Sequence, residues 1–377
     1  MPFPTEKEDD ESSSLSKSGR GTEPGAGPAN NAEIKKRALA AGFALTGLAR
    51  VPENGAAPGA EFLNKWLAAG KHGPIKYISD TVATRMNLRQ RYPWARAVLC
   101  VAAFYDGFAK GEKGRDFSAH VARYARGRDY HKIFERRLKA LARAFVEENV
   151  CTHARAYVDT GPILERSWAE LAGLGWTGKN TCLIHPRLGS YMLLGEILLS
   201  AEIEPDPPAT DHCGTCRRCL DACPTGALSL EHGLDANRCI VTWNLEMKGD
   251  VPAERWPEHH GWAAGCDVCQ EVCPYNRPAS IPQPDAELAD PLPWQNMTLA
   301  QAILMSEAEY DHAFQASALR RTGWKGLRLG AITAAGNVLK TNQIANEVRA
   351  PLVAALRECV KDADKDIRAR AEWALQY

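Results

Sequence analysis

Hydrophobic and polar positions divide the chain into stretches of different character. Residues 1–30 are rich in Ser, Gly, Pro and acidic side chains, have almost nothing to bury, and read as a disordered tail. From Asn31 the pattern turns helical: Asn31 is placed to cap AEIKKRALAA, and Gly42 ends that helix. AVLCVAAF (97–104) is a short, solid apolar run containing valines, as in a buried strand. Asp129 caps a second helix, where Ile133, Phe134, Leu138, Leu141 and Phe145 recur at helical spacing. ARAYVDT (154–160) reads as another strand, after which Gly161 and Pro162 turn the chain into the helix ILERSWAELAG. A hairpin-like stretch at Gly189-Ser190 leads into YMLLGEILLS. This order of elements predicts an α/β domain over 31–203. Asp159 would stand at the carboxyl end of a strand, where α/β sheets place their chemistry.

EIEPDPPATDH (202–212) is a proline-rich linker into a cysteine-rich module over 204–280, which a second such stretch, RPASIPQPD, closes. From Thr298 the period is helical again, with Thr298 and Gln301 spaced as a capping box. GLRLGAITAAGNVLK, VRAPLVAALRECV and DIRARAEWALQ then predict an all-α unit over 295–377, without a sustained internal repeat.

Composition changes this picture little, and charge excludes one class. The 377 residues are 45% apolar and 24% charged, and 46 basic side chains balance 46 acidic ones. That is no polycation made to coat nucleic acid or membrane. No apolar run approaches the roughly 18–20 residues of a membrane span, and the acidic N-terminus MPFPTEKEDDESSS lacks an apolar signal core, so a cytoplasmic protein is expected.

The cysteines change the picture most. Eight of the 12 fall between Cys213 and Cys273. In a reducing compartment such clustering points to metal. Cys213, Cys216, Cys219 and Cys223-Pro224 spell C-x2-C-x2-C-x3-C-P, the ferredoxin run for a 4Fe–4S cluster, whose fourth cysteine ligates a neighbouring cube. Cys266, Cys269 and Cys273-Pro274 repeat the motif without its first cysteine, and Cys239 is the spare thiol that completes the set. Crossing the fourth ligands assigns one cluster to Cys213, Cys216, Cys219 and Cys273, and the other to Cys223, Cys239, Cys266 and Cys269. Structural zinc would leave too many thiolates unused. Cys100, Cys151, Cys182 and Cys359 read as small buried hydrophobes. No G-x-G-x-x-G follows a strand and no G-x-x-x-x-G-K-[ST] occurs. The D-x-H-x-x-G pattern of histidine-ligated cobalamin also breaks, because Phe134 stands where its glycine would be.

RYARGRDYHKIF (123–134), VDTGPILERSWAELAGLGWTGKNTCLI (158–184), HCGTCRRCLDACPTGAL and GCDVCQEVCPYN together resemble the epoxyqueuosine reductases. The likeness is close over about residues 33–280 and looser over the helical tail, and the polar N-terminus lies outside it. It implies a cytoplasmic, monomeric enzyme with two 4Fe–4S clusters and a cobalamin that has no protein histidine beneath the cobalt. It further implies removal of the epoxide oxygen from epoxyqueuosine at the wobble position of tRNA, with electrons from a low-potential donor such as a flavodoxin or ferredoxin. The tail becomes a HEAT-like tRNA-binding unit. On the family's motifs Asp159 is the proton donor, its pKa raised by an apolar cofactor face. Tyr130, His131, Arg166, Lys179, Asn180 and Thr181 become contacts of cobalamin or substrate, with Arg166 orienting Asp159 or meeting phosphate. Two basic tracts suit tRNA phosphate: Arg320, Arg321, Lys325, Arg328, Lys340 and Arg349, and Arg123 through Lys139. Two other readings stay open: a cobalamin-dependent reductase of a small molecule such as an organohalide, and an electron-transfer subunit without a substrate pocket.

Overall fold

The computed structural model describes residues 15–16, 30–105, 114–231, 233–247, 251–276, 283–289, 292–341 and 344–377. Five strands form the central sheet: β1 (Leu15–Ser16), β2 (Leu45–Arg50), β3 (Ala97–Phe104), β4 (His153–Tyr157) and β5 (Met192–Leu199), in the order β1-β4-β5-β3-β2. AVLCVAAF is the strand expected, and all eight of its residues are buried. Its side chains alternate between two cores, with Leu99 and Val101 on one face and Val98, Cys100 and Phe104 on the other.

Helices α1 (Asn31–Ala40) and α2 (Tyr130–Glu147) cover the first face; α3 (Glu165–Leu171) covers the second through Trp168 and Ala169. Phe134, Leu138 and Phe145 of α2 are fully buried, as their spacing predicts. A Cβ on Gly195 of β5 would lie 2.7 Å from Leu138 Cδ1, so α2 rests on the sheet where β5 has no side chain.

The domain mixes helices and strands as expected, but every strand pairing is antiparallel. The carboxyl-end rule for open parallel sheets therefore does not place Asp159; the turn after β4 does. Three local expectations shift. Asn30, not Asn31, caps α1, its side chain accepting the Glu33 N–H. The helix after Gly161-Pro162 begins only at Glu165. Within the stretch read as a disordered tail, Leu15 and Ser16 pair with Ala154 and His153 on the open edge of β4; the rest of residues 1–29 lies outside the described residues, as do 277–282 of the second proline-rich stretch. The first linker docks on the opposite sheet edge, where the Asp206 carboxylate accepts the Leu48 N–H at 2.8 Å.

The C-terminal unit comprises α4 (Leu299–Leu304), α5 (Glu307–Phe314), α6 (Gly323–Lys340), α7 (Asn346–Cys359) and α8 (Lys365–Ala374). Thr298 and Gln301 form the capping box, and Ser306 with Glu309 forms a second one. Helix α6 packs on α8 and α4, with α7 against both. Its core is not private. Phe117, Val121 and Ala125 of the first domain and Leu245, Ala263 and Ala264 of the cysteine module belong to the same apolar cluster. At Gly330 a Cβ would meet the Ala263 carbonyl oxygen at 2.2 Å, so α6 lies directly on the module's backbone.

Candidate active site

Asp159 follows β4 in the left-handed backbone region, with φ 50°, which side-chain-bearing residues rarely adopt. Its Oδ2 lies 2.9 Å from His131 Nε2, while His131 Nδ1 lies 2.7 Å from Asp129 Oδ1. The capping residue of α2 and the acid after β4 thus clasp one imidazole from opposite sides. Tyr130 stacks on that ring, with centroids 4.0 Å apart. Burial alone would lower the His131 pKa, but the two carboxylates outweigh it and raise it to about 9. Burial alone would raise Asp159; the hydrogen bond and charge of His131, with Arg321 and Tyr130 adding to them, instead hold it below the usual carboxylate range. Of the two groups, His131 is the one that holds a proton at neutral pH.

Several residues that sequence reasoning did not assign complete the surroundings. Tyr77 is half-buried, with Arg321 from the C-terminal unit 5.9 Å from its ring, and burial pushes its hydroxyl up to about 12. Arg321 also pairs with Glu246 at 2.6 Å. A residue read as part of a phosphate-binding tract thus reaches the surroundings of Asp159. Glu165 Oε1 accepts the Asp159 N–H at 2.5 Å. Burial and the charge of Asp159 raise the Glu165 carboxyl to about 7. The one signal in the sequence for this acidic neighbourhood is Glu196, a lone charge inside the apolar run YMLLGEILLS.

The remaining expected contacts divide. Arg166 donates to the Thr181 carbonyl oxygen and does not hydrogen-bond Asp159. Lys179 turns its ammonium to the carbonyl oxygens of Gly214 and Cys216, at 2.6 and 2.9 Å, on the first cysteine loop. Asn180 is buried, donating to the Cys269 carbonyl oxygen and accepting the Cys182 N–H. Residues 179–182 therefore bridge the Asp159 side to both cysteine loops. Cys100, Cys151 and Cys359 are buried as expected, but Cys182 is not a lone core thiol, since its sulfur lies in hydrogen-bonding contact with Cys269.

The eight module cysteines sort into two neighbourhoods. Cys219 lies within electrostatic reach of Cys213 and Cys216, and Cys273 of Cys213 and Cys219, whereas Cys239 and Cys266 lie near Cys223, and Cys269 near Cys239 and Cys266. Among the described residues no three donors converge tightly enough for a single ion. Two sets of four cysteine thiolates are the ligand complement of two 4Fe–4S cubes. Donors to sulfur are already in place: the Trp176 indole N–H lies 3.4 Å from Cys213 Sγ, and the Ala227 N–H 3.3 Å from Cys223 Sγ. For a corrinoid the fit lies in what is withheld. Both His131 nitrogens are engaged by carboxylates, leaving neither to ligate cobalt, in keeping with the broken D-x-H-x-x-G pattern.

The basic tracts are mostly compensated. Arg320 pairs with Asp311, Lys325 with Asp364 and Asp366, and Arg328 with Asp362. In the other tract Arg137 is held by Asp285 and Glu287, and Arg123 by Glu271.

Comparison with known proteins gives concordant matches. A profile described as a 4Fe-4S double cluster binding domain matches residues 212–276, and one described as epoxyqueuosine reductase QueG, DUF1730, matches residues 85–160. An epoxyqueuosine reductase of Gloeobacter violaceus is 44% identical over 81% of this chain and 95% of its own. The solved epoxyqueuosine reductase from Streptococcus thermophilus superposes with TM-score 0.72 and 26% identity, over 92% of this chain and 98% of that one. An epoxyqueuosine reductase crystallised with an epoxyqueuosine-modified tRNA-Tyr stem loop gives TM-score 0.72 at 24% identity, covering 92% and 97%.

Proposed function

The chain belongs to the epoxyqueuosine reductase family, and from that premise we propose that it reduces epoxyqueuosine to queuosine at the wobble position of tRNA, with electrons passed through two 4Fe–4S clusters to cobalamin. The observation that carries this reading is the His131 imidazole held between Asp129 and Asp159 in a chain that also carries the double-cluster module. Loss of the epoxide oxygen as water consumes two electrons and two protons. When bound, the clusters deliver electrons singly and cobalamin supplies low-valent cobalt chemistry at the epoxide carbon.

The residues of this chain supply the rest. His131 Nε2 holds a proton at neutral pH that passes through Asp159 Oδ2 to the departing oxygen, and the second proton follows the same route after solvent reprotonates His131. Tyr130 and Thr181 face the cofactor and substrate, Arg166 fixes the Thr181 carbonyl, and Lys179 with Asn180 ties that loop to the clusters. One cluster uses Cys213, Cys216, Cys219 and Cys273, the other Cys223, Cys239, Cys266 and Cys269. The C-terminal helices act as a HEAT-like tRNA platform, from which Arg321 enters the pocket beside Tyr77. A monomer drawing electrons from a flavodoxin or ferredoxin in the cytoplasm completes the reading.

The test is anaerobic reconstitution with iron, sulfide, cobalamin and a chemical reductant, followed by mass analysis of epoxyqueuosine-containing tRNA. Loss of one oxygen to give queuosine is expected. Unchanged tRNA from a chain that carries both clusters and the corrinoid overturns the proposal.

A further inference from the structure

Beneath Asp159 lie two acids that the reaction as described does not use. Glu196, in the middle of β5, is 0% exposed, and neither carboxyl oxygen has a hydrogen-bond partner among the described residues. On that strand it shares a sheet face with Met192 and Leu198, the face covered by α3. The group it meets there is the carboxyl of Glu165, the first residue of α3. Two facing carboxylates offer each other only lone pairs. A proton between them converts that repulsion into a hydrogen bond and satisfies an otherwise orphaned buried group.

Among the described residues no cation hydrogen-bonds either carboxyl in its place. Arg85 spends its hydrogen bonds on Thr81 and the Ile163 carbonyl, and Arg166 on the Thr181 carbonyl. The other titratable groups facing the pair are Asp159, Cys100 and Tyr130, together with Tyr157, which lies opposite Glu196 on β4. All of these are neutral or acidic. Glu165 joins the pair to Asp159 through the 2.5 Å hydrogen bond from the Asp159 N–H to its Oε1, and Asp159 is held in the left-handed backbone region.

We propose that Glu165 is the positioning residue of Asp159: Glu165 and Glu196 share a proton, and through Glu165 Oε1 on the Asp159 N–H the pair locks the Asp159 turn in the conformation that faces His131. The functional meaning rests on Asp159 acting as proton donor, but the clamp itself is a property of the chain without cofactors. Burial raises both acids, Glu165 to about 7 with the charge of Asp159 adding to it, and Glu196 well above its ordinary value with the charge of Glu165 adding to it.

The full chain, without cofactors, tests this in two ways. Infrared spectra at pH 7 should show a protonated carboxyl band that disappears in Glu196→Gln, where the amide donates to an ionised Glu165. Amide exchange at Asp159 should quicken at least tenfold in Glu165→Ala and return to within about twofold of the parent in Glu165→Gln, whose carbonyl still accepts the N–H. In reconstituted enzyme, Glu165→Ala should lower kcat at least tenfold with KM for the stem loop unchanged, again with rescue by Gln. A band indifferent to Glu196, or Asp159 exchange indifferent to Glu165, overturns the clamp. Should Glu165→Ala fail to fold, the infrared comparison decides alone. An Asp159→Asn enzyme with full turnover would instead remove the proton-donor reading and leave the clamp standing.

Discussion

His131 shows how two neighbours convert an ordinary imidazole into a stored proton. Its folded pKa of about 9 exceeds the ordinary 6.5, so the folded state binds the proton more tightly. The stability this contributes is complete below pH 6.5 and is lost as pH rises through 9. The shift corresponds to at most about 3 kcal/mol. Urea denaturation should therefore show the parent losing more stability between pH 6.5 and 9 than His131→Gln does; identical slopes would mean that Asp129 and Asp159 do not hold an imidazolium. Glu165 acts in a lower window, from 4.5 to about 7, where stability also falls with rising pH because the folded acid keeps its proton longer. For turnover, Asp159→Asn should cost about 10²-fold or more with iron and corrinoid loading unchanged. Parental rates from a fully loaded variant would exclude Asp159 as the donor.

Elements position these side chains through contacts that tolerate little change. Helix α2 carries both Tyr130 and His131 on its first turn, and its seat on β5 depends on Gly195. Gly195→Val places branched carbon where Leu138 and Phe134 already lie, and should destabilise the chain by about 1–3 kcal/mol in equilibrium unfolding. Turnover should fall further than stability alone explains, since a displaced α2 moves His131 away from Asp159. Unaltered stability would show that α2 does not rest on the sheet there. The caps that launch these helices were legible because they are local. Asp129 and Thr298 each lie within three residues of the N–H they satisfy, and the apolar period of α2 needs only its own residues. The shifted Asn30 cap shows the limit, since two adjacent asparagines compete for one position and only the backbone turn selects between them.

Across the whole molecule the three units share a core, and Arg321 of the C-terminal unit reaches Tyr77 and the surroundings of Asp159. The crossed ligand sets lead to an expected outcome. Cys273→Ala should cost about half the iron, the half held with Cys213, Cys216 and Cys219, and Cys239→Ala the other half. Iron analysis with electron paramagnetic resonance on double variants separates the two: Cys273→Ala combined with Cys213→Ala should lose no more than either alone. Additive losses would put those two thiols on different cubes. For tRNA, neutralising Arg320, Arg321 and Lys325 should lower the salt dependence of stem-loop binding by less than the roughly one unit per contact of free phosphate-binding cations. The reason is that acidic side chains already occupy all three. A full three-unit loss would show that tRNA displaces those partners.

What the amino-acid order determined by itself was whatever lies close along the chain: the cysteine spacing, the apolar strand at 97–104, the amphipathic helices and most of their caps. Spacing of that kind restricts the backbone whatever the rest of the molecule does. Tertiary structure alone decided that His131 meets Asp159 across 28 residues, that Arg321 of the C-terminal unit faces Tyr77, and that Glu196 lies sealed beside Glu165. Charge, proton and partner at those positions depend on which distant groups packing brings within a few ångströms, and on how much water it removes from between them.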